Sequence, residues 1–580
     1  MNEEEGCFNV VVVGTGLVES IIAAALAHAG LKVAHIDESS YYGGEQASLN
    51  LSEFADWARE RHGVVTLGED ISPLQSRQFS VSLAPTVIPS TGPLIDALVA
   101  SGVARYGGFN LVQSVAMYTP AGVHVVPGSK EDVFKDKSIT LLDKRRLMRF
   151  LSFAAGEFEG DKDLDGRQDV PFGTYLRETF HLNDDLTSAV AYALAYCKDD
   201  QEPTYSALLR IRSYLRSSGR YGASPFLIGH YGGSGEISQG FCRSAAVKGG
   251  VYVLGRRILS ITPIAQPVES STDGQRCSSR ARFNVALDDF PLPMTCDVVV
   301  GTHPHFLPPP KPDCNVHGVA VARCVAIIDQ PLSIHPSSQQ LNMAAPDTNS
   351  TPTSNALPVN NDGTPDSTAP TPQTTVTQVP PTNASTPINT GILVFPPRSL
   401  RADHGTTVTV LIEGETTMAT PKDRWILYIT MPLEGPIPDD PEKMLRPYLE
   451  MTLSLAATPA KVIFSAFYVQ SPASVPASVP ASSHSTLPRV SSDAVSISSS
   501  YIPVAPQPYY LPLPEYPDHA ARCAERLFWD TVAALRSLYP SPGSEDLGSR
   551  NAQVAEVLHN IDTLWPPQEP EESTESDDGL

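Results

Sequence analysis

Residues 8–49 read FNVVVVGTGLVESIIAAALAHAGLKVAHIDESSYYGGEQASL, and the first half of this stretch decides the fold. Val10 to Val13 are β-branched throughout and end at Gly14, a pattern that predicts a buried parallel strand. Leu17, Ile21, Ile22, Ala25 and Leu26 then recur at helical spacing, and Ala23, Ala24 and Ala27 are small enough for close packing on a sheet. Gly30 is placed to end that helix, and Val33 to Ile36 form a second strand. The unit is βαβ, the core of a Rossmann body. Its first turn, Gly14-Thr15-Gly16, starts a dinucleotide-binding fingerprint, and Asp37 stands at the end of the second strand, where an acidic residue would hold a ribose hydroxyl.

The third glycine of the fingerprint is replaced by Glu19. A carboxylate there is expected to satisfy the positive helix end, or to reach back to the N–H of Gly16 as in a capping box. A pyrophosphate would compete for that field and meet a like charge, at a cost of about 1 kcal/mol in water at 4 Å and about 4 kcal/mol near a protein surface. The degenerate set Gly14, Gly16, Glu19 and Asp37 therefore keeps the scaffold and discourages the ligand, and no cofactor is expected.

Tyr41-Tyr42-Gly43-Gly44-Glu45 follows. With the turn GTGLVE before it, this block resembles the family of Rab GDP-dissociation inhibitors and Rab escort proteins, which pair G-T-G-L-x-E with Y-Y-G-G. The likeness recurs to about residue 260 and thinly from about 390 to 540. Arg77-Gln78-Phe79-Ser80-Val81-Ser82-Leu83-Ala84-Pro85 keeps part of the family's R-x-F-N-x-D-L-x-P segment, and Gly102-Val103-Ala104-Arg105-Tyr106 matches its G-V-x-R-Y. Lys144-Arg145-Arg146 followed by Phe150-Leu151 is similar to E-K-R-R-x-x-x-F-L. Gly235-Glu236, Arg243 and Gly249-Gly250 with Tyr252 are similar to Y-G-x-G-E-x-P-Q-x-F-x-R…G-G-x-Y, with Ser238 where proline is usual.

The resemblance implies an α/β fold: an FAD/NAD(P)-binding-like, flavoprotein-type Rossmann body with an inserted small all-helical domain. It implies a protein that is not an enzyme and that binds GDP-bound Rab GTPases through Tyr41, Glu236, Arg243 and Tyr252. The run GTGLVESIIAAA is closest to the escort branch, whose members present Rab to geranylgeranyltransferase type II, shield the added geranylgeranyl lipid and release the product in transient membrane contact. A dissociation inhibitor that recycles prenylated Rab is the alternative within the family. An FAD-dependent oxidoreductase is the alternative outside it, and Glu19 speaks against that one.

Composition bounds the same choices. Asp and Glu total 64 against 41 Lys and Arg, a formal net charge of −23, so a nucleic-acid partner is not expected. The 8 cysteines show no CxxC spacing, which argues against a zinc site or a disulfide framework. His303-Pro304-His305 has no third metal ligand at a plausible spacing, and neither Gly-x-Ser-x-Gly nor HExxH occurs, so neither a metal site nor a catalytic site is expected. No apolar run reaches the ~20 residues that span a bilayer. The acidic start MNEEEG and the end ESDDGL carry no targeting or lipidation signal, so a cytoplasmic protein is expected.

Along the chain, residues 1–129, 222–335 and 391–470 are expected to build the α/β body, and 130–221 the helical domain that meets lipid and transferase. The mixtures of Ser, Thr, Pro and Asn at 336–390 and 471–500 read as disordered insertions, because they cannot bury enough apolar surface to offset their ordering entropy. Residues 501–565 are assigned a C-terminal helical part, with a helix from Asp518 to Leu538, and 566–580 an acidic tail. Leu186, Val190, Ala193, Leu194, Leu208, Leu209 and Ile211 supply an ordinary bundle core for the helical domain. Glu236 and Arg243 lie two helical turns apart on one face. The bland alternative for them is a salt-bridged surface helix, a pair that contributes under about 1 kcal/mol.

Overall fold

The computed structural model describes residues 6–68, 73–127, 130–137, 139–264, 282–290, 293–301, 319–333, 387–471, 500–539 and 549–566. The insertions expected at 336–390 and 471–500, the tail at 566–580 and the pair His303 and His305 lie wholly or almost wholly outside them.

The predicted βαβ unit is present as β1 (Cys7–Val13), α1 (Leu17–His28) and β2 (Val33–Asp37). Gly30 takes a left-handed φ of 87° just past the helix, as a C′ glycine does. β1 sits centrally in a seven-stranded sheet, parallel to β2 on one side and to the Met294–Gly301 strand on the other. Val251–Leu254 extends the parallel run beyond β2, and Tyr501–Pro503 adds to Met294–Gly301. Phe283–Leu287 and Ile258–Pro263 complete the sheet as an antiparallel edge. Every residue from Phe8 to Val13 is buried, as the continuous apolar run requires of a strand covered on both faces.

One face of this sheet packs on α1, the Ser234–Val247 helix and the Tyr516–Leu538 helix, with Ile22, Phe241 and Phe528 fully buried between them. A second, eight-stranded sheet runs in the order Val64–Leu67, Val462–Gln470, Val321–Ile328, Trp425–Pro432, Val408–Glu413, Thr390–Phe395, Ser114–Thr119, Gly122–Val125. It is antiparallel except where Thr390–Phe395 meets Ser114–Thr119. Five of these strands, from Val462–Gln470 to Thr390–Phe395 in the order above, come from both sides of the Ser/Thr/Pro-rich stretch and are consecutive neighbours in one sheet. The Pro441–Leu453 helix covers its other face.

The helical region follows from Leu141–Ala155, Phe172–Phe180, Asp184–Ser188 and Thr204–Ser217, with a π-helical turn at Ala189–Leu194. Leu147, Phe150 and Leu151 are buried beneath the basic face as their spacing predicts, and Phe150 meets Phe180 edge-on at 5.2 Å between centroids. One core residue is a correction: Leu209 is exposed, and its neighbour Arg210 is buried instead. Arg210 points inward because Glu202 and Glu515 wait there, at 2.6 and 3.2 Å, and a buried guanidinium with two carboxylates is satisfied where a lone one would not be. The pair with Glu515 also ties the helical region to the C-terminal segment. Residues 501–565 are not wholly helical, since Tyr501–Pro503 is a strand of the first sheet.

Candidate functional site

The turn after β1 has the shape of a nucleotide cradle, yet its polar groups are already engaged. Asp37 accepts from the Thr15 N–H at 2.8 Å, from the Thr15 hydroxyl at 2.6 Å and from the Ser39 N–H at 2.8 Å, so the carboxylate that would hold a ribose pins the turn itself. The first free N–H of α1, on Leu17, donates to Gln46 Oε1 at 3.2 Å. Among the described residues Glu19 does not form the expected capping box: its carboxyl lies over the turn, 2.7 Å from where a Cβ on Gly16 would sit. Burial, reinforced by Asp37, pushes Glu19 up to about 7, so near neutral pH the group is only partly ionised. Like-charge repulsion of a pyrophosphate is thereby weakened, and the bulk of the Glu19 side chain over the turn takes its place as the obstacle.

A cavity of about 370 Å³ opens beside these groups, lined also by Arg323, Gln470 and Tyr516. All of Arg323's nitrogens are taken, by Gln470, Thr430 and the Tyr509 carbonyl. The residues present do not fit a dinucleotide: the donor helix end is capped by Gln46, the ribose acid is paired, and a carboxyl fills the pyrophosphate position.

The same turn organises a second region. The Tyr41–Glu45 loop returns to it through the Gly43 N–H, which donates to the Thr15 carbonyl at 3.0 Å. Gly43 has φ of 100°, and a Cβ there would lie 2.8 Å from Ala47 Cα and 3.2 Å from Gly235 Cα. A Cβ on Gly235 would in turn lie 2.5 Å from the Ser48 nitrogen. The glycines of the two motif blocks are therefore what lets residues 43–48 press against the first turn of the Ser234–Val247 helix, main chain on main chain. Tyr42 carries the contact onward, its ring edge-on to Tyr252 at 6.2 Å, and Tyr252 lies 5.0 Å from the ring of His35 on β2.

Glu236 and Arg243 share one side of that helix. Arg243 is exposed, with its guanidinium 4.9 Å over the Tyr106 ring. Glu236 is half-buried, and burial raises its carboxyl above the ordinary range. Among the described residues neither one forms an ion pair, with the other or with any third group. The salt-bridged surface helix is therefore not what this face is. Tyr252 differs from an exposed contact residue, because its hydroxyl is turned inward toward Cys242 without a well-formed hydrogen bond. Tyr41 is drawn another way: its ring packs on the core below the eight-stranded sheet, near Glu45 and Arg61. The structure thus sets Glu236 and Arg243 on one side of the helix beside Tyr106, while Tyr252 on the strand that follows packs on Tyr42 and His35, and Tyr41 is joined to them only through the loop it opens. Tyr106 and Tyr42, which complete the surroundings, stand in motifs visible in the sequence. Gln46 carries no sequence signal beyond its nearness to the glycine pair.

The turn after β1, with its incomplete fingerprint, is thus locked main chain on main chain to a second glycine-rich block. Residues 1–354 match the family model described as GDI, GDP dissociation inhibitor, and the chain belongs to that family. A Rab proteins geranylgeranyltransferase component A from Saccharomyces cerevisiae is 33% identical over 279 residues, covering 46% of this chain and 46% of that protein. Guanosine nucleotide diphosphate dissociation inhibitor 1 from Arabidopsis thaliana is 32% identical over 265 residues, covering 44% of this chain and 57% of that one. The chain spans about half the length of the curated relatives it matches. Among solved structures, a Rab GDI from Plasmodium falciparum superposes with a TM-score of 0.57 at 18% identity, over 91% of this chain and 98% of that one, and so shares the fold.

Proposed function

We propose that this chain is a Rab-binding protein of the escort type, a non-catalytic accessory component of geranylgeranyltransferase type II. It binds GDP-bound Rab, presents it for geranylgeranylation and carries the lipidated product to a membrane. The observation that supports this reading most is the face of the Ser234–Val247 helix, where Glu236 and Arg243 stand beside exposed Tyr106 without an ion partner among the described residues. Charged groups held in place and left unpaired suit a protein partner that supplies the complementary groups. Tyr41 and Tyr252 then act at one remove, through the loop and strand that seat this helix. The name of the yeast relative favours the escort reading over the inhibitor.

In this division of labour residues 130–221 meet the transferase and the geranylgeranyl chain, and the α/β body meets the GTPase. No helix of the described residues is long and apolar enough to cross a membrane, which is compatible with a cytosolic carrier. Co-purification tests the proposal. The recombinant chain should retain GDP-loaded Rab, and with Rab it should retain the transferase and support lipid transfer. Retention of prenylated Rab without any transferase binding would favour the inhibitor, and retention of neither would sink both.

A further inference from the structure

Beside the Glu236–Arg243 face two large side chains stand in solvent where the backbone itself is held in an unusual state. Tyr231 is 48% exposed with φ of 54°, and Met418 is 52% exposed with φ of 56°. Neither is glycine, and left-handed backbone at bulky residues persists only where the surroundings impose it. Here they do. The Tyr231 N–H donates to the Thr417 carbonyl at 3.0 Å, and the Ser80 hydroxyl donates to the Tyr231 carbonyl at 2.7 Å. The Tyr231 hydroxyl reaches the Met418 sulfur at 3.4 Å, so the two side chains form one unit although 187 positions separate them. Thr417, between the two turns, is fully buried and bonded to Gly414.

The unit is continuous with the helix face. Tyr231 meets the His230 ring edge-on at 6.3 Å, and a narrow cleft lined by His230, Gly108, Tyr106 and Glu236 joins it to the Arg243–Tyr106 stack. A bilayer surface is a poor occupant, because the face includes a carboxyl and the chain carries a net charge of −23 against anionic lipid. An exposed aromatic and a methionine beside an arginine have the composition of an interface centre between proteins.

We propose that Tyr231 and Met418 form a paired apolar anchor that extends the Glu236–Arg243 face and takes an apolar patch on the bound GDP-state Rab. The inference rests on the Rab-binding reading above. Glycine substitutions test it cleanly, because glycine adopts the left-handed backbone without strain and Tyr231→Gly or Met418→Gly removes only the side chain. The Rab that co-purifies with the wild-type chain, unprenylated and loaded with GDP, is titrated against wild type, both single variants, the double variant and Arg243→Ala. Each glycine variant should keep the wild-type thermal midpoint and bind Rab at least tenfold more weakly. The double variant should lose less than the product of the two single losses, because the side chains touch. Wild-type affinity in both glycine variants alongside a weakened Arg243→Ala overturns the anchor and leaves the Rab reading standing. Wild-type affinity in all of them overturns both. Unchanged Rab affinity with weaker capture on anionic vesicles assigns the anchor to the membrane and overturns it as a Rab contact.

Discussion

Glu413 is the residue whose replacement has the most definite sign. It lies at the end of the Val408–Glu413 strand, 3% exposed, with Oε2 lacking any hydrogen-bond partner among the described residues. Burial alone pushes its carboxyl from an ordinary 4.5 up to about 8. The folded state then binds a proton that the unfolded chain releases. Its contribution to stability is complete below pH 4.5, declines as pH rises and is gone above about 8. At 1.36 kcal/mol per pKa unit, the penalty at neutral pH is on the order of 3 kcal/mol. Glu413→Gln keeps the shape and removes the ionisable group, though a buried amide with imperfect partners still costs about 1 kcal/mol or more. At pH 8.5 nearly the whole shift is expressed, so the expected outcome is a variant more stable than wild type by about 3 kcal/mol there, with the advantage shrinking toward pH 5. Urea unfolding at the two pH values measures it. An advantage that is equal at both, or a variant less stable at pH 8.5, would refute the account of Glu413 as a neutral buried acid.

Three further outcomes follow from the site. Gly43→Ala should lower the thermal midpoint and weaken Rab binding together, because strain and main-chain overlap cost about 1–3 kcal/mol and pry the Tyr41–Glu45 loop from the Ser234–Val247 helix; a variant with wild-type melting would contradict the close approach. Glu19→Gly restores the third fingerprint glycine, yet the purified variant should show no flavin absorption even after incubation with FAD, since Gln46 and the Thr15–Asp37 bonds remain; stoichiometric flavin would show that Glu19 alone blocks the site. Tyr252→Phe should melt within about 1 kcal/mol of wild type and bind Rab normally, because the lost hydroxyl is buried and poorly bonded; a tenfold affinity loss would place that hydroxyl at the interface.

The βαβ unit was legible because both of its periodicities are undisturbed: a β-branched run, a helix with an alanine-rich face, and Gly30 at its end. Gly249-Gly250, part of the second motif block, stands directly before the Val251–Leu254 strand. What joins these pieces was not legible. Met294–Gly301, the central neighbour of β1, is an apolar run with nothing local to say where it pairs, and its register is fixed only by long-range contact. Arg210 and Leu209 exchange the burial their side chains suggest, because two carboxylates distant in sequence converge on the guanidinium. At the site, the motifs located the Ser234–Val247 helix and the loop packed against it. The cap supplied by Gln46, the Tyr231–Met418 contact and the packing of the Tyr252 ring on His35 depend on partners 29, 187 and 217 positions away, so no local pattern announces them.

The Glu236–Arg243 face is proposed to bind GDP-state Rab without performing chemistry. Its most direct test is the equilibrium affinity of GDP-loaded Rab for Glu236→Ala and Arg243→Ala, measured beside a reconstituted prenylation assay. Arg243→Ala should lose about 2 kcal/mol, roughly thirty-fold in affinity, as the truncation of a central interface arginine does. More of the variant should then be needed for full lipid transfer, while the rate at saturation stays near wild type. Wild-type affinity in both variants, or a fallen plateau that no concentration restores, would contradict the account.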